Sequence, residues 1–257
     1  MPLIESKIKE LSSMKSYPKN LSYSGDLELL NRKKVSIIGS RKPSKYSRNL
    51  TQRITKQLAN AGICIVSGGA MGIDAIAHIS ATPKNTICVL PCGLNIKYPS
   101  INKNLLTEIQ KDGLLISQFE DSFKATPWSF VVRNELVVAL GDILIVAEAD
   151  LNSGSLRSIE FAKKMGKRIF VFPHQIDDSK ATNELLKNGE AEAIYDVDEF
   201  VNSLVPNFKE KIKGDSFSEY CKTNPTYEDA LKNYPNKIFE AELSGKIEIQ
   251  NGRIFFI

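Results

Sequence analysis

With 257 residues, 42% of them hydrophobic and 25% charged, the chain has the make-up of a globular protein with one large domain and a small appendage. No apolar run approaches the roughly 20 residues that span a bilayer, and residues 1–15 lack the apolar core of a secretion signal, so a cytoplasmic location without a membrane partner is expected. The net charge of +4 is unevenly spread, 13 Lys+Arg against 4 Asp+Glu in residues 1–60 and 21 against 26 in the rest. Such a basic stretch suits either a phosphate polymer or a merely solvated lysine-rich surface, and charge alone does not choose between them.

Residues 35–38 (VSII) form a short β-branched run that ends in Gly39-Ser40-Arg41 and Pro43-Ser44. Leu50, Ile54, Leu58 and Ala61 then recur at helical spacing, and Gly62 stops the helix. A second apolar strand at 63–66 ends in Ser67-Gly68-Gly69-Ala70-Met71-Gly72. Further strands are predicted at 86–91, 113–117, 143–147 and 168–172, with helices at 100–111, 127–140 and 155–165. A weaker helix–strand–helix unit follows at 181–188, 192–195 and 196–203. Short, continuous apolar strands alternating with helices predict an α/β fold: a Rossmann-like, doubly wound, mostly parallel sheet. Residues 204–224 read as a linker. Beyond it, a short helix starting at Thr226, a helix over 236–243 and a hairpin turning at Asn251-Gly252 predict a small winged-helix-like domain. The expected organisation is therefore a lead-in (1–34), a Rossmann-like domain (35–203), a linker (204–224) and the winged-helix-like domain (225–257).

In an open parallel sheet, ligands bind beyond the carboxyl ends of the strands. The loops Gly39-Ser40-Arg41 and Ser67-Gly68-Gly69 stand at two such ends and lead into helices. They suit an anion held by backbone N–H groups, with Arg41 adding a guanidinium, or ordinary βα turns in which glycine is common. Phe130 and Arg133 lie three apart on one predicted helix. They suit base stacking with a phosphate contact, or a core aromatic with a structural arginine. Asp74 and His78 read either as an acid–base pair or, preferably, as a helix cap and a buried imidazole. Ser153-Gly154-Ser155 lines the same crevice or caps the next helix. The dinucleotide G-x-G-x-x-G and the Walker G-x-x-x-x-G-K-[ST] are absent, so no nucleotide cofactor is expected. Cys64, Cys88, Cys92 and Cys221 include no C-x-x-C pair and are expected to be reduced thiols, with no metal site.

Taken together these motifs resemble the DNA-processing protein A (DprA/Smf) family from about residue 15 to residue 203. The resemblance runs through Tyr17-Pro18, Leu21, Tyr23-x-Gly25, Ile38-Gly39-Ser40-Arg41, Pro43-Ser44, Ser67 to Asp74 with Ala77-His78, Leu90 to Leu94, Tyr98-Pro99, Phe130-x-x-Arg133-Asn134 and Ser153-Gly154-Ser155. It implies a homodimeric protein without catalytic residues that binds incoming single-stranded DNA during natural transformation, protects it and promotes RecA loading. It also implies DNA-binding roles for Ser40, Arg41, Ser44, Ser67, Gly68, Gly69, Lys124, Phe130, Arg133 and Asn134. The chain departs from the family at Glu135, where a second arginine is usual, and at Gln118, where glutamate is common. Where some relatives place a basic residue just before the pocket phenylalanine, the nearest here is Lys124, with Trp128 as a stacking alternative. With about 34 residues before the first predicted strand, the N-terminal helical domain of longer relatives is expected to be lacking. The competing expectation is a nucleotide-binding enzyme of the phosphoribohydrolase (lysine decarboxylase-like) type, for which Glu160 is the nearest candidate carboxylate.

Overall fold

The computed structural model describes residues 1–205, 216–221, 223–235 and 237–256. The chain divides into two compact units, Met1–Phe208 and Lys209–Ile257.

The first unit carries β1 (Ser22–Gly25), β2 (Lys34–Ile38), α1 (Lys45–Asn60), β3 (Cys64–Ser67), α2 (Ile73–Ala81), β4 (Thr86–Val89), α3 (Lys103–Asp112) and β5 (Leu114–Ser117). It continues through α4 (Pro127–Leu140), β6 (Ile143–Val146), α5 (Ser155–Lys164), β7 (Ile169–Val171), α6 (Lys180–Lys187), β8 (Glu192–Ala193) and α7 (Val197–Leu204). The strands form one sheet in the order β1-β5-β4-β3-β2-β6-β7-β8, all parallel except β1. From β2 the chain winds outward through β3, β4 and β5, then returns to lay β6 on the other flank of β2. The order therefore reverses between β2 and β6, and the crevice at the carboxyl ends of those strands is where such a sheet accepts a ligand.

Alternation along the strands sorts their side chains into two layers. Val35, Ile37, Ile65 and Ile145 face Ile54 and Leu58 of α1, Ile73 and Ala77 of α2, and Phe200 of α7. Ile38, Val66, Ile87, Val89, Leu144 and Val146 face α4, α5 and α6 through Leu136, Val137, Ile159, Ala162 and Leu185. Cys88 and Leu115 pack with Leu106 and Ile109 of α3. The start of α4 is written in the sequence: Thr126 caps it, Pro127 takes the first helical position, and Ser129 completes a capping box with Thr126.

Residues 1–34 are more than a lead-in. Strand β1 pairs antiparallel with β5, and Leu11, Leu21 and Leu29 are buried in the main core. Lys34 is 2% exposed; its ammonium donates to the Leu30 and Arg32 carbonyls and pairs with Glu10, which ties the N-terminal segment to the sheet. No lysine or arginine of residues 1–34 lines the β2–β6 cleft. Lys7, Lys9, Arg32 and Lys33 line a surface recess at the opposite, amino end of β2.

The second unit contains α8 (Ser216–Cys221), α9 (Tyr227–Asn233), α10 (Lys237–Leu243), β9 (Ile247–Gln250) and β10 (Arg253–Phe256). Phe217, Cys221, Ala230, Ile238, Ala241, Ile247 and Ile254 make its core. Asn251 and Gly252 both hold positive φ, 50° and 74°, as a two-residue hairpin turn requires. The expected linker contains the helix α8, while its residues 206–215 and 222 lie outside the described residues.

Candidate nucleic-acid interface

The loops after β2 and β3 are pressed against each other at the reversal point. Ile73 N–H donates to the Ser40 carbonyl at 3.1 Å. Gly72, at φ 76°, permits this, because a β-carbon there would overlap the Ser40 carbonyl oxygen. Gly39 cannot carry one either: it would fall 2.7 Å from Ile73 Cγ1. The clamp leaves Arg41 exposed at the rim of a cleft of about 400 Å³ lined by Gly39, Ser40, Asp74, Arg133, Asn134 and Ser153 to Ser155. The Arg41 guanidinium lies 5.5 Å from the centroid of the Phe130 ring. Tyr98 meets the same ring edge-on at 5.8 Å and is itself 44% exposed. Arg41, Gly68, Met71, Tyr98 and Phe130 thus line one pocket. A cation poised over an aromatic face, open to solvent, offers a phosphate contact and a stacking surface side by side.

Arg133 plays a different part from the one expected of a ligand contact. It is 4% exposed, and its Nη1 donates to the carbonyls of Gly68 and Val89, the latter at 3.1 Å. Its Nε donates to Asn134 Oδ1 at 2.9 Å. A β-carbon at Gly68 would overlap the guanidinium, so this glycine exists to admit Arg133. Burial lowers the Arg133 pKa, and the carboxylate of Asp74 counteracts it. Asp74 is 8% exposed; burial raises its pKa, while the Arg133 charge and the Ala70 N–H, which donates to Asp74 Oδ2 at 3.3 Å, restrain the rise. Arg133 and Asp74 together brace the loop from below.

Three further expected contacts are engaged within the protein, Ser67 and Gly69 buried and Ser44 at the surface. The Ser67 hydroxyl is fully buried and donates to the Ile37 carbonyl at 2.7 Å, joining β3 to β2. A β-carbon on Gly69 would sit 2.7 Å from Cys88 Sγ, and the Gly69 carbonyl accepts from Asn102. Ser44 donates through both its N–H (2.9 Å) and its hydroxyl (2.8 Å) to Glu148 Oε2. Glu148 follows β6 and was not singled out from sequence, yet its carboxylate occupies the positive end of α1 that an external anion would otherwise use. Burial alone would raise its pKa; hydrogen bonds from Ser47 and Ser44 outweigh that and hold it below the usual carboxylate value. Lys124 is exposed but does not line the cleft. Of the expected set, Ser40, Arg41, Phe130 and Asn134 line the cleft and reach solvent, buried Gly68 and Arg133 form its wall, and Tyr98, noted in the sequence only within the Tyr98-Pro99 motif, joins them.

His78 is structural. Thr86 Oγ1 donates to the Ile65 carbonyl at 2.9 Å, so it accepts from His78 Nδ1–H at 2.6 Å, leaving Nε2 unprotonated and without a partner. Burial and then the Arg133 charge push its pKa from 6.5 down to about 3. The unfolded chain therefore binds a proton that the folded one refuses. The stability this residue contributes is complete above pH 6.5 and is lost as pH falls from 6.5 towards 3. Urea titrations are expected to show wild type losing more stability on acidification than His78→Gln; parallel pH profiles would contradict this.

A profile of the family described as DNA recombination-mediator protein A matches residues 6–205. The chain belongs to that family. DNA processing protein DprA of Streptococcus pneumoniae is 36% identical over 184 residues, 70% of this chain and 65% of that protein. DprA of Bacillus subtilis is 31% identical over 199 residues, 76% of this chain and 67% of that protein. The chain thus spans about two thirds of the length of these two curated DprA relatives. Among solved structures, DNA processing protein A from Helicobacter pylori, described for its single-stranded DNA binding mode, superposes with a TM-score of 0.77 at 42% identity, covering 79% of this chain and 94% of that one. DprA of S. pneumoniae superposes at 0.73 with 33% identity, covering 78% of this chain and 73% of that one. Both coverages fit the first unit, where the DprA-type loops lie. Among the described residues, no helix is long and apolar enough to cross a membrane.

Proposed function

We propose that this chain binds single-stranded DNA in the β2–β6 cleft and acts as a recombination mediator, protecting incoming DNA and promoting RecA loading in natural transformation. The observation that carries it is the Arg41 guanidinium held over the Phe130 ring at the mouth of the cleft. Phosphate is taken by Arg41, and a base by the Phe130 and Tyr98 rings. Neither contact reads base identity, so recognition is sequence-tolerant. The H. pylori relative, named for its single-stranded DNA binding, supports the ligand class. We assign no catalytic step to the site. Glu160, the carboxylate that a phosphoribohydrolase would need, pairs with Arg157 at 3.1 Å on the surface and does not line the cleft. We further propose a cytoplasmic homodimer and a winged-helix-like role for the second unit as a partner-docking module.

Phe130→Ala tests the base contact. Removing one stacking ring weakens binding of a fluorescent oligonucleotide by about 1–3 kcal/mol, read by anisotropy. Affinity equal to wild type would place the base elsewhere.

A further inference from the structure

The groove that begins at Arg41 and Tyr98 does not stop at Phe130. It continues over the amino end of α4, lined by Thr126, Pro127 and Val131. On that end, as the second residue of α4, stands Trp128, the single tryptophan of the chain, 63% exposed. Its ring rests edge-on against Phe119 at 5.8 Å and 73°, and Phe119 in turn stacks on Phe123 at 4.7 Å and 13°. An indole that served the core would be covered. This one is propped on a two-ring base that fixes its orientation while most of its surface stays in water. Phe130 and Trp128 are two residues apart and point to different sides of the helix. A ligand touching both must pass over the helix end, across Thr126 and Pro127, which are both exposed.

We propose that Trp128 is a second stacking station for the strand that leaves the Phe130 cleft, so that a longer single strand is held at two aromatic sites joined by the end of α4. This rests on the reading that the cleft holds single-stranded DNA. The occupant is argued from continuity with that groove, whose lining reaches Thr126 and Pro127 beside Trp128. An indole carries no charge, so the station contributes stacking rather than phosphate binding. That separates it from Arg41 in measurement: loss of Trp128 lowers affinity but leaves the salt dependence unchanged.

The sole tryptophan is also its own probe. Oligothymidylates of increasing length are titrated into the full chain, with indole emission followed in parallel with anisotropy of labelled strands. Long strands are expected to quench Trp128 with the midpoint that anisotropy reports, and strands that fill only the Phe130 cleft to bind without quenching. Trp128→Ala is expected to bind long strands about tenfold more weakly, with short-strand affinity and salt slope unaltered, and Trp128→Phe to recover most of the loss. Full binding with unchanged indole emission, or a Trp128→Ala protein that binds long strands as wild type does, overturns the station and leaves the cleft intact. No anisotropy change with any strand overturns the single-strand reading itself, and the station with it.

Discussion

Arg133→Met is expected to lower the stability of the first unit by on the order of 3 kcal/mol, read as a fall in the urea midpoint at unchanged slope. Methionine fills a similar length, so the loss is not mainly a cavity. It comes from the polar groups left behind. The Gly68 and Val89 carbonyls both accept from Arg133 Nη1, and in its absence both face an apolar chain. Asp74, buried and raised in pKa already, loses the positive charge that restrains it. Each buried acceptor without a donor costs about 1–3 kcal/mol. DNA affinity should fall as well, even where the protein remains folded, because the Gly68 loop that lines the pocket is held from beneath by this guanidinium. A midpoint within about 0.5 kcal/mol of wild type, the scatter of an ordinary surface substitution, would show that Arg133 is not the strut described.

Arg41→Ala is expected to do the reverse: unchanged stability and a large loss of binding. The side chain is exposed, with its guanidinium over the Phe130 ring, so its removal leaves no buried group unpaired. Hydrogen bonds to charged groups are worth about 1.5–3 kcal/mol, which corresponds to roughly a tenfold to hundredfold weaker complex. Part of that is counterion release. One phosphate contact fewer should flatten the plot of log affinity against log salt by about 0.7 for a single strand. Phe130→Ala and Trp128→Ala should weaken binding without that change in slope.

Strands β2 to β7 were legible because they are brief apolar runs between glycines and helical patterns, buried on both faces. Strand β1 was missed because Ser22-Tyr23-Ser24-Gly25 has no such signal; only its partner β5, far along the chain, makes it a strand. The candidate site was legible in position and less so in orientation. Strand order and two small-residue loops pointed to the crevice in which the β2–β6 cleft lies. Whether a side chain there turns out or in depends on partners remote in sequence. Ser44 is claimed by Glu148, 104 residues away, and Arg133 by the Gly68 carbonyl, 65 away. Ser67 and Gly69 are likewise spent on Ile37 and Cys88. A polar residue at a strand end therefore reads the same whether it holds the ligand or holds the loop that does. Tyr98 shows the converse. No local pattern joins it to Phe130, and the fold alone brings the two rings together.

The proposed role of Arg41, a guanidinium at the β2–β6 reversal point that grips a polyanionic single strand, is put to a direct test by titrating one labelled oligonucleotide with wild type and Arg41→Ala across the same potassium chloride series. Wild type is expected to show a steep linear fall of log affinity with log salt, and the variant a weaker, shallower line. Coincident lines, or a wild-type affinity indifferent to salt, would contradict it.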